Sequence, residues 1–183
     1  MKSIIRLVSL KNNIRVGQNL PESPQSFMDS AVSNFEDGRG AIASELCWAA
    51  ASLQLRYLLL AENIEVNNLD MKKVVVYYLR SILGGRMATQ LKNSWKDLER
   101  GALANFYDGG SDDLFIVFDY LTAARDFCNI IFSVKDKNLF NRISFLKWLS
   151  RVYSEEYFDC FDGTWKQVNP APRHFPSYVS LCL

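Results

Sequence analysis

Three cationic residues recur at four-residue intervals in the middle of the chain. They are Lys92, Lys96 and Arg100, here called the basic row. In a helix this spacing places all three on one side, where their charges can contact the phosphates of an RNA or of a nucleotide. Arg86 or Lys73 would extend the row. Asp97 and Glu99 lie beside it and partly neutralise it, which favours the alternative of a solvated helix face.

A second group of charged residues, further along the chain, could bring carboxylates together. Asp119 and Asp126 are seven residues apart, so both fall near one face of a helix, with Arg125 beside them. Paired carboxylates can hold a metal ion, but helical sites of this kind add a Glu-x-x-His motif, which the chain lacks. We therefore expect no metal ion and no cofactor.

The cysteines and the single histidine indicate little further chemistry. Cys47, Cys128, Cys160 and Cys182 show no C-x-x-C spacing, and His174 has no partner at metal-ligand spacing. The first two fall inside apolar helical stripes, where a thiol acts as a small buried hydrophobic group. Cys160 and Cys182 either pair as a disulfide or, as is usual in a reducing compartment, stay free. The sequence also has no G-x-S-x-G motif and no glycine-rich phosphate loop, so we assign no catalytic residue.

Composition limits the class of protein. The chain has 183 residues, of which 49% are apolar, which suits one domain with one core. Its net charge of +1 gives no bulk electrostatic reason to expect a nucleic acid or a membrane as partner. Charges interrupt the start of the chain before a signal-peptide core could form, and the uncharged stretch 46–55 is too short to span a bilayer. We expect a cytoplasmic protein with no membrane partner.

The apolar periodicity predicts six helices that position these residues. Five of them span approximately residues 24–36, 39–63, 71–83, 86–107 and 139–158, and another begins after Ser111. Ser23 caps the first helix with Pro24 at its first position, and Asp70 and Ser111 cap two later helices. The sequence therefore predicts an all-α fold, an antiparallel bundle of five to six helices over residues 21–160.

Two helices carry prominent apolar faces. In the second helix the predicted inward residues are Ile42, Leu46, Ala49, Leu53, Tyr57, Leu60 and Ile64. In the fifth helix they are Leu114, Val117, Leu121, Ala124, Cys128 and Ile131, and the stripe is widened by Phe115, Phe118, Phe127 and Ile130. A helix with so broad an apolar face is either central to the bundle or part of a subunit interface, and we expect a homodimer.

Both ends of the chain are predicted to be extended. Residues 1–20 contain a short apolar segment followed by turn residues, and residues 161–183 are rich in proline, which forbids regular helix. The apolar segments Ile4–Leu10 and Tyr178–Leu183 could pair as a small ribbon. Irregular packing of each end is the interpretation that we favour.

Two stretches carry a recognisable pattern. The first is FEDGRGAIASELCWAAASLQLRYLLL, residues 35–60, in which a glycine break precedes Ala43, Ser44, Glu45, Trp48, Ala50 and Ala51. The second is ALANFYDGGSDDLFIVFDYLTAARDF, residues 102–127, with Asn105, Phe106, Tyr107, Asp108 and Gly109 in order. With the helices between them, over about residues 23–134, they resemble the paREP proteins, an archaeal group related to HEPN helical bundles. The resemblance implies a HEPN-like bundle.

The resemblance also bears on catalysis. HEPN ribonucleases are similar to one another in an R-x(4–6)-H motif, whose imidazole supports cleavage of the RNA backbone. Arg100 is present, but Leu103 stands where the related passage has histidine, and positions 105–107 are Asn, Phe and Tyr. Neither leucine nor asparagine can shuttle a proton near neutral pH. The resemblance therefore implies a member without the ribonuclease activity.

These observations predict a non-enzymatic, HEPN-like homodimer that binds RNA or a nucleotide. The predicted contacts are Lys92, Lys96 and Arg100, with Asn105 and Tyr107 adjacent. One alternative is an unconventional HEPN-type ribonuclease or toxin-like enzyme that uses Arg100 with a partner other than histidine. The other is a protein–protein interaction module whose C-terminal tail, from Gly163 onward, docks onto another chain.

Overall fold

Six α-helices make up most of the chain that the structure describes. The computed structural model describes residues 5–7, 23–66, 69–108, 113–155, 157–158 and 165–166. The helices are α1 (Pro24–Glu36), α2 (Gly40–Ala61), α3 (Leu69–Leu83), α4 (Gly85–Asp108), α5 (Leu114–Asp136) and α6 (Arg142–Glu155). Their packing around one apolar core confirms the predicted all-α helical bundle.

The ends of α1 follow from local chemistry. The Ser23 hydroxyl accepts a hydrogen bond from the backbone N–H of Ser26 at 3.1 Å, and Pro24 occupies the first helical position. The helix ends before Asp37, and the chain turns at Gly38, whose φ of 73° is costly for residues with a Cβ atom. Both predicted boundaries are confirmed.

Two residues predicted to be N-caps, Asp70 and Ser111, do not have that role. Asp70 lies in the first turn of α3, which begins at Leu69, and so does not cap it. The N-cap of α5 is Asp113, whose carboxylate accepts a hydrogen bond from the backbone N–H of Phe115 at 2.9 Å. The predicted cap, Ser111, lies outside the described residues. An aspartate suits both the cap and the first turn because its charge interacts with the positive end of the helix dipole.

The buried face of α2 differs from the predicted one. Ile42 is 47% exposed, and the other helical members of the predicted stripe are only half-buried. The buried apolar residues are instead Ala43, Cys47, Ala50, Ala51, Leu55, Leu58 and Leu59. Because α2 is apolar around most of its circumference, contacts with α1 and α5 decide which stripe is buried. Even so, none of the helices in the described ranges combines the length and apolarity that crossing a bilayer requires.

Helix α5 packs against α1, α2 and α4, so of the two predicted roles the structure shows the central one, and a subunit interface stays a prediction. Its predicted broad stripe is divided between core and surface. Phe127 and Ile130 are buried, whereas Phe115 is 88% exposed and Phe118 is 57% exposed. Leu114, at the start of the predicted inner face, is also exposed.

Helix α4 is fixed on three sides by α2, α3 and α5. Gly84 and Gly85, with φ values of 62° and 52°, make the tight connection from α3 that glycine favours. The inner face of α4 is buried at Leu91, Trp95 and Leu98, and the centroid of the Trp95 ring lies 5.0 Å from that of the Trp48 ring in α2. This packing fixes which side of α4 faces outward.

Within the described residues, two short strand pairs accompany the helices. Strand β1 (Ile5–Leu7) pairs antiparallel with β2 (Ile64–Val66). Asn63, with a φ of 55°, separates α2 from β2, so Ile64 does not continue the helix as predicted. The N-terminal strand thus pairs with residues that follow α2, whereas residues 178–183 lie outside the described part of the chain.

The second pair follows α6. Strand β3 (Tyr157–Phe158) pairs antiparallel with β4 (Trp165–Lys166). Helix α6 therefore ends at Glu155, before the predicted end at 158. Strand β4 is extended, and it lies inside the segment 161–183 that the sequence predicts to be an extended tail.

Candidate functional site

Helix α4 presents the basic row on its outer side. Lys96 and Arg100 are exposed and Lys92 is half-buried. The opposite side of the helix is held in the core by Leu91 and Trp95. Because packing in the core buries the apolar side of α4, the basic row on the opposite side faces outward.

The three cations of the basic row differ in their partners. The guanidinium of Arg100 donates a hydrogen bond to Oδ1 of Asp97, with Nη2 and Oδ1 3.2 Å apart. Within the described ranges, Lys92 and Lys96 have no ion-pair partner. An exposed pair such as Arg100–Asp97 contributes only about 0–1 kcal/mol, so an incoming phosphate can displace Asp97 at little cost.

Neither Lys73 nor Arg86 extends the basic row as the sequence predicts. The ammonium of Lys73 lies 2.5 Å from Oε1 of Glu99, and the two side chains are only 12% and 17% exposed. This ion pair joins α3 to α4, which gives it a structural role. Arg86 instead lines a groove between α4 and α5.

That groove is polar, has a volume of about 760 Å³ and lies between α4 and α5. The α4 residues that line it are Arg86, Thr89, Gln90, Asn93, Ser94 and Asp97. The α5 residues are Asp119, Thr122, Ala123 and Asp126. Asp119 and Asp126 share a face, as predicted. With three aspartates against one arginine, the α4–α5 groove carries an excess of negative charge.

The aspartates of the α4–α5 groove do not form a metal centre. No group of three His, Cys, Asp or Glu side chains is placed to hold a metal ion in the part of the chain that the structure describes. The groove instead combines carboxylates with the amides of Gln90 and Asn93 and with three hydroxyl groups. Such a lining can exchange hydrogen bonds with a polar, uncharged part of a ligand.

The basic row and the α4–α5 groove are neighbours on the surface of α4. Each cation follows a groove residue by three positions; the pairs are Thr89 and Lys92, Asn93 and Lys96, and Asp97 and Arg100. Residues three apart lie next to each other on a helix surface. The row therefore forms a cationic edge along one wall of a polar groove. The four-residue steps of Thr89, Asn93 and Asp97 were the signal in the sequence that could have indicated this wall.

Beyond Asp97, α4 and α5 approach each other closely. Gly101 is buried, and a Cβ atom at this position would lie 3.0 Å from two ring carbons of Tyr120. The absence of a side chain at Gly101 thus allows the contact. It fixes the spacing of the two helices next to the α4–α5 groove.

The other predicted contact residues also lie in α4. Asn105 and Tyr107 fall in its last two turns, after Arg100. Their side chains, like that of Leu103, lie outside what the structure describes. His174 is also outside the described residues.

The two described cysteines are placed in the core rather than at a reactive site. Both are free thiols, Cys47 fully buried in α2 and Cys128 partly buried in α5. Burial raises the pKa of Cys47 to about 12, and the neighbouring Cys128 adds to the rise. Burial also raises the pKa of Cys128 to about 11. Thiols of this kind stay protonated and are poor nucleophiles. Cys160 and Cys182 lie outside the described residues.

Comparisons with protein-family models, with curated proteins and with solved structures find no match for this chain. The resemblance to the paREP and HEPN proteins therefore stays a prediction.

Proposed function

We propose that the protein is a HEPN-like, non-catalytic homodimer that binds single-stranded RNA along α4. The observation that carries this proposal is the position of the basic row beside the α4–α5 groove. A strand that follows α4 can place phosphates on the row and its riboses and base edges in the groove. Single-stranded RNA exposes these groups together, whereas a duplex hides most base edges.

The basic row supplies the electrostatic part of binding. Lys92 and Lys96 have no ion-pair partner within the described residues and so can offer a phosphate their full charge. Arg100 can bind a phosphate with two parallel hydrogen bonds once it leaves Asp97. A row of three cations on a chain of net charge +1 favours local contacts over bulk attraction.

The α4–α5 groove supplies hydrogen-bonding groups for the bases and riboses of the RNA and not for its phosphates. Asp119 and Asp126 repel phosphates but accept hydrogen bonds from base amino groups and from ribose hydroxyls. The amides of Gln90 and Asn93 can both donate to and accept from base edges. The division of charge between row and groove thus orients a strand, with its backbone toward the row.

The absence of catalysis follows from the sequence of α4. The position that matches the family histidine is Leu103, and the one histidine, His174, lies among the prolines of the tail. Without an imidazole near Arg100, the residues of this passage cannot shuttle a proton as the HEPN motif does. RNA bound along the basic row is therefore expected to stay intact.

Dimer formation is proposed through the start of α5. Leu114, Phe115, Ile116 and Phe118 are exposed there, Phe115 to 88%. Large exposed aromatic side chains three positions apart on one helix, such as Phe115 and Phe118, indicate a contact surface. Residues 114–118 themselves carry no charged side chain, which suits contact with a second copy, and a two-fold dimer is the commonest assembly.

Fluorescence polarisation with a short labelled single-stranded RNA at several salt concentrations tests the proposal. Each phosphate contact contributes about 0.7 to the slope of log affinity against log salt. The variant K92A/K96A/R100A should lose binding and about two units of this slope. The control K135A/K137A/K147A removes the same charge from exposed lysines of other elements and should bind almost normally.

The same samples, followed over time on a gel, test the absence of catalysis. Intact RNA throughout agrees with a binding protein. Progressive cleavage that needs Arg100 would favour the ribonuclease alternative. Equal losses of affinity in the row variant and in the lysine control would remove the basic row from the proposal, and no binding at low salt would refute it.

A further inference from the structure

A second group of cations lies between α2 and α3, away from the α4–α5 groove. Trp48, Ser52 and Arg56 follow one another at four-residue steps on one side of α2, and Lys72 is on α3. The ammonium of Lys72 lies 5.8 Å from the centroid of the Trp48 ring. A cation–π contact at this distance holds the ammonium over the indole. These four residues are here called the α2–α3 cluster.

The α2–α3 cluster has two cations and an unpaired hydroxyl, and the part of the chain that the structure describes supplies no counterion for them. Within the described ranges neither Lys72 nor Arg56 has an ion-pair partner. Among the described residues, the buried Ser52 hydroxyl oxygen has no hydrogen-bond partner. The indole N–H of Trp95, whose ring contacts that of Trp48, and Nε of Arg80 are likewise buried and without a partner there. Buried polar groups are almost always paired, so the unpaired Ser52 hydroxyl on the same side of α2 as Trp48 needs a reason.

The electrostatics of the α2–α3 cluster are unfavourable as it stands. Burial lowers the pKa of Lys72, and the positive charge of Arg56 lowers it further. Packing therefore holds two like charges near each other while removing water from one of them. A negatively charged ligand between them would reverse both effects, since it attracts each cation and replaces the lost hydration.

We propose that the α2–α3 cluster is a site for a phosphoryl group. Lys72 and Arg56 supply the charge, the Ser52 hydroxyl supplies a further donor, and Trp48 positions the ammonium. A phosphoryl group presents several strong acceptor oxygens, which match a cluster made mainly of donors. The site uses no residue of the basic row and does not depend on RNA binding there.

Titration of the full chain with inorganic phosphate, followed by tryptophan fluorescence and by thermal unfolding, tests this proposal. Lys72→Met keeps the apolar stem over Trp48 and removes the charge, while Arg56→Gln changes an exposed residue. Each variant should raise the Kd for phosphate about tenfold or more, the loss expected for one charge-assisted hydrogen bond. The control is Lys147→Met at an exposed lysine of α6, which should bind phosphate like the wild type.

A normal phosphate response in both Lys72→Met and Arg56→Gln would overturn the proposal. So would an equal response of the wild type to sodium chloride at matched ionic strength. Because Arg56 is exposed, its variant keeps the test decisive even if Lys72→Met folds poorly. Adenosine monophosphate distinguishes the source of the group: tighter binding than phosphate assigns a phosphomonoester, and equal binding assigns free phosphate. A loss of RNA binding in K92A/K96A/R100A concerns the basic row and does not count against the α2–α3 cluster as a phosphoryl site.

Discussion

The ion pair between Arg100 and Asp97 joins the two surfaces of the candidate site, with 3.2 Å between Nη2 and Oδ1. Arg100 ends the basic row, whereas Asp97 belongs to the wall of the α4–α5 groove. In the free protein the groove thus neutralises one cation of the row. An RNA phosphate has to compete with Asp97 for Arg100, while Lys92 and Lys96 are available without competition from the described residues.

This competition predicts that Asp97→Asn increases RNA affinity. The pair is exposed and contributes about 0–1 kcal/mol, so its removal should strengthen binding about two- to threefold and steepen the salt dependence. Fluorescence polarisation measures both quantities. The control Asp136→Asn makes the same charge change at the exposed end of α5 and should have little effect. Weaker binding by Asp97→Asn would mean that Asp97 itself contacts the RNA.

The pair between Lys73 and Glu99 is expected to affect stability and not binding. Its side chains are 12% and 17% exposed, so removing one partner leaves the other charge partly desolvated. Glu99→Gln should lower the free energy of unfolding by about 1–2 kcal/mol, between the values for surface and buried pairs. Urea unfolding measures the change, with the exposed Glu45→Gln as control. If folded Glu99→Gln lost RNA affinity, the pair would belong to the interface.

Local chemistry made part of the fold predictable. The Ser23–Pro24 start of α1 and its end before Gly38 are encoded within a few residues of each boundary, and both predictions are confirmed. The buried face of α2 is different, because both Ile42 and Cys47 belong to apolar stripes of the same helix. Only the neighbouring helices determine that Cys47 is buried and Ile42 is not.

The geometry of the candidate site was likewise only partly predictable from the sequence. Spacing alone placed the basic row on one helix side and Asp119 with Asp126 on one face. That Asp97 lines the same groove as these two aspartates depends on the approach of α4 to α5, which includes the contact of Gly101 with Tyr120. No pattern within either helix specifies that approach.

The buried thiols predict a loss of stability at alkaline pH. The pKa of Cys47 is about 12 and that of Cys128 about 11 in the folded protein, against an ordinary value of 9.0. Above pH 9 the unfolded chain releases these protons and the folded chain keeps them, so stability is complete below pH 9 and falls as pH rises. Each thiol should contribute a slope of about 1.4 kcal/mol per pH unit between pH 9 and 11.

Urea unfolding at pH 8 to 11 measures this slope. The variant Cys47→Ala/Cys128→Ala loses core volume at every pH, but its stability should decline less steeply above pH 9 than that of the wild type. Mass mapping after brief treatment with a thiol reagent provides an independent check, because neither residue should be labelled in the folded protein. An equal decline in both proteins would show that other groups cause the alkaline loss.

The exposed start of α5 predicts that Phe115→Ser converts a dimer to a monomer. Phe115 is 88% exposed, so its loss should not affect folding, whereas Phe118 contacts Phe35 with 6.2 Å between ring centroids and is less suitable. Loss of a buried aromatic contact should weaken association about tenfold or more, as measured by sedimentation equilibrium. Phe132→Ser, on the same helix and 62% exposed, is the matched control and should remain dimeric.

The variant Phe115→Ser also separates dimer formation from RNA binding in the proposed function. A dimer carries two basic rows, and a long RNA can contact both, so the second contact is made at high effective concentration. Phe115→Ser should therefore lose affinity for a long RNA and keep its affinity for a short one that reaches only one row. Equal affinity of monomer and dimer for both RNAs would show that each basic row binds independently, and the dimer would then have no role in RNA binding.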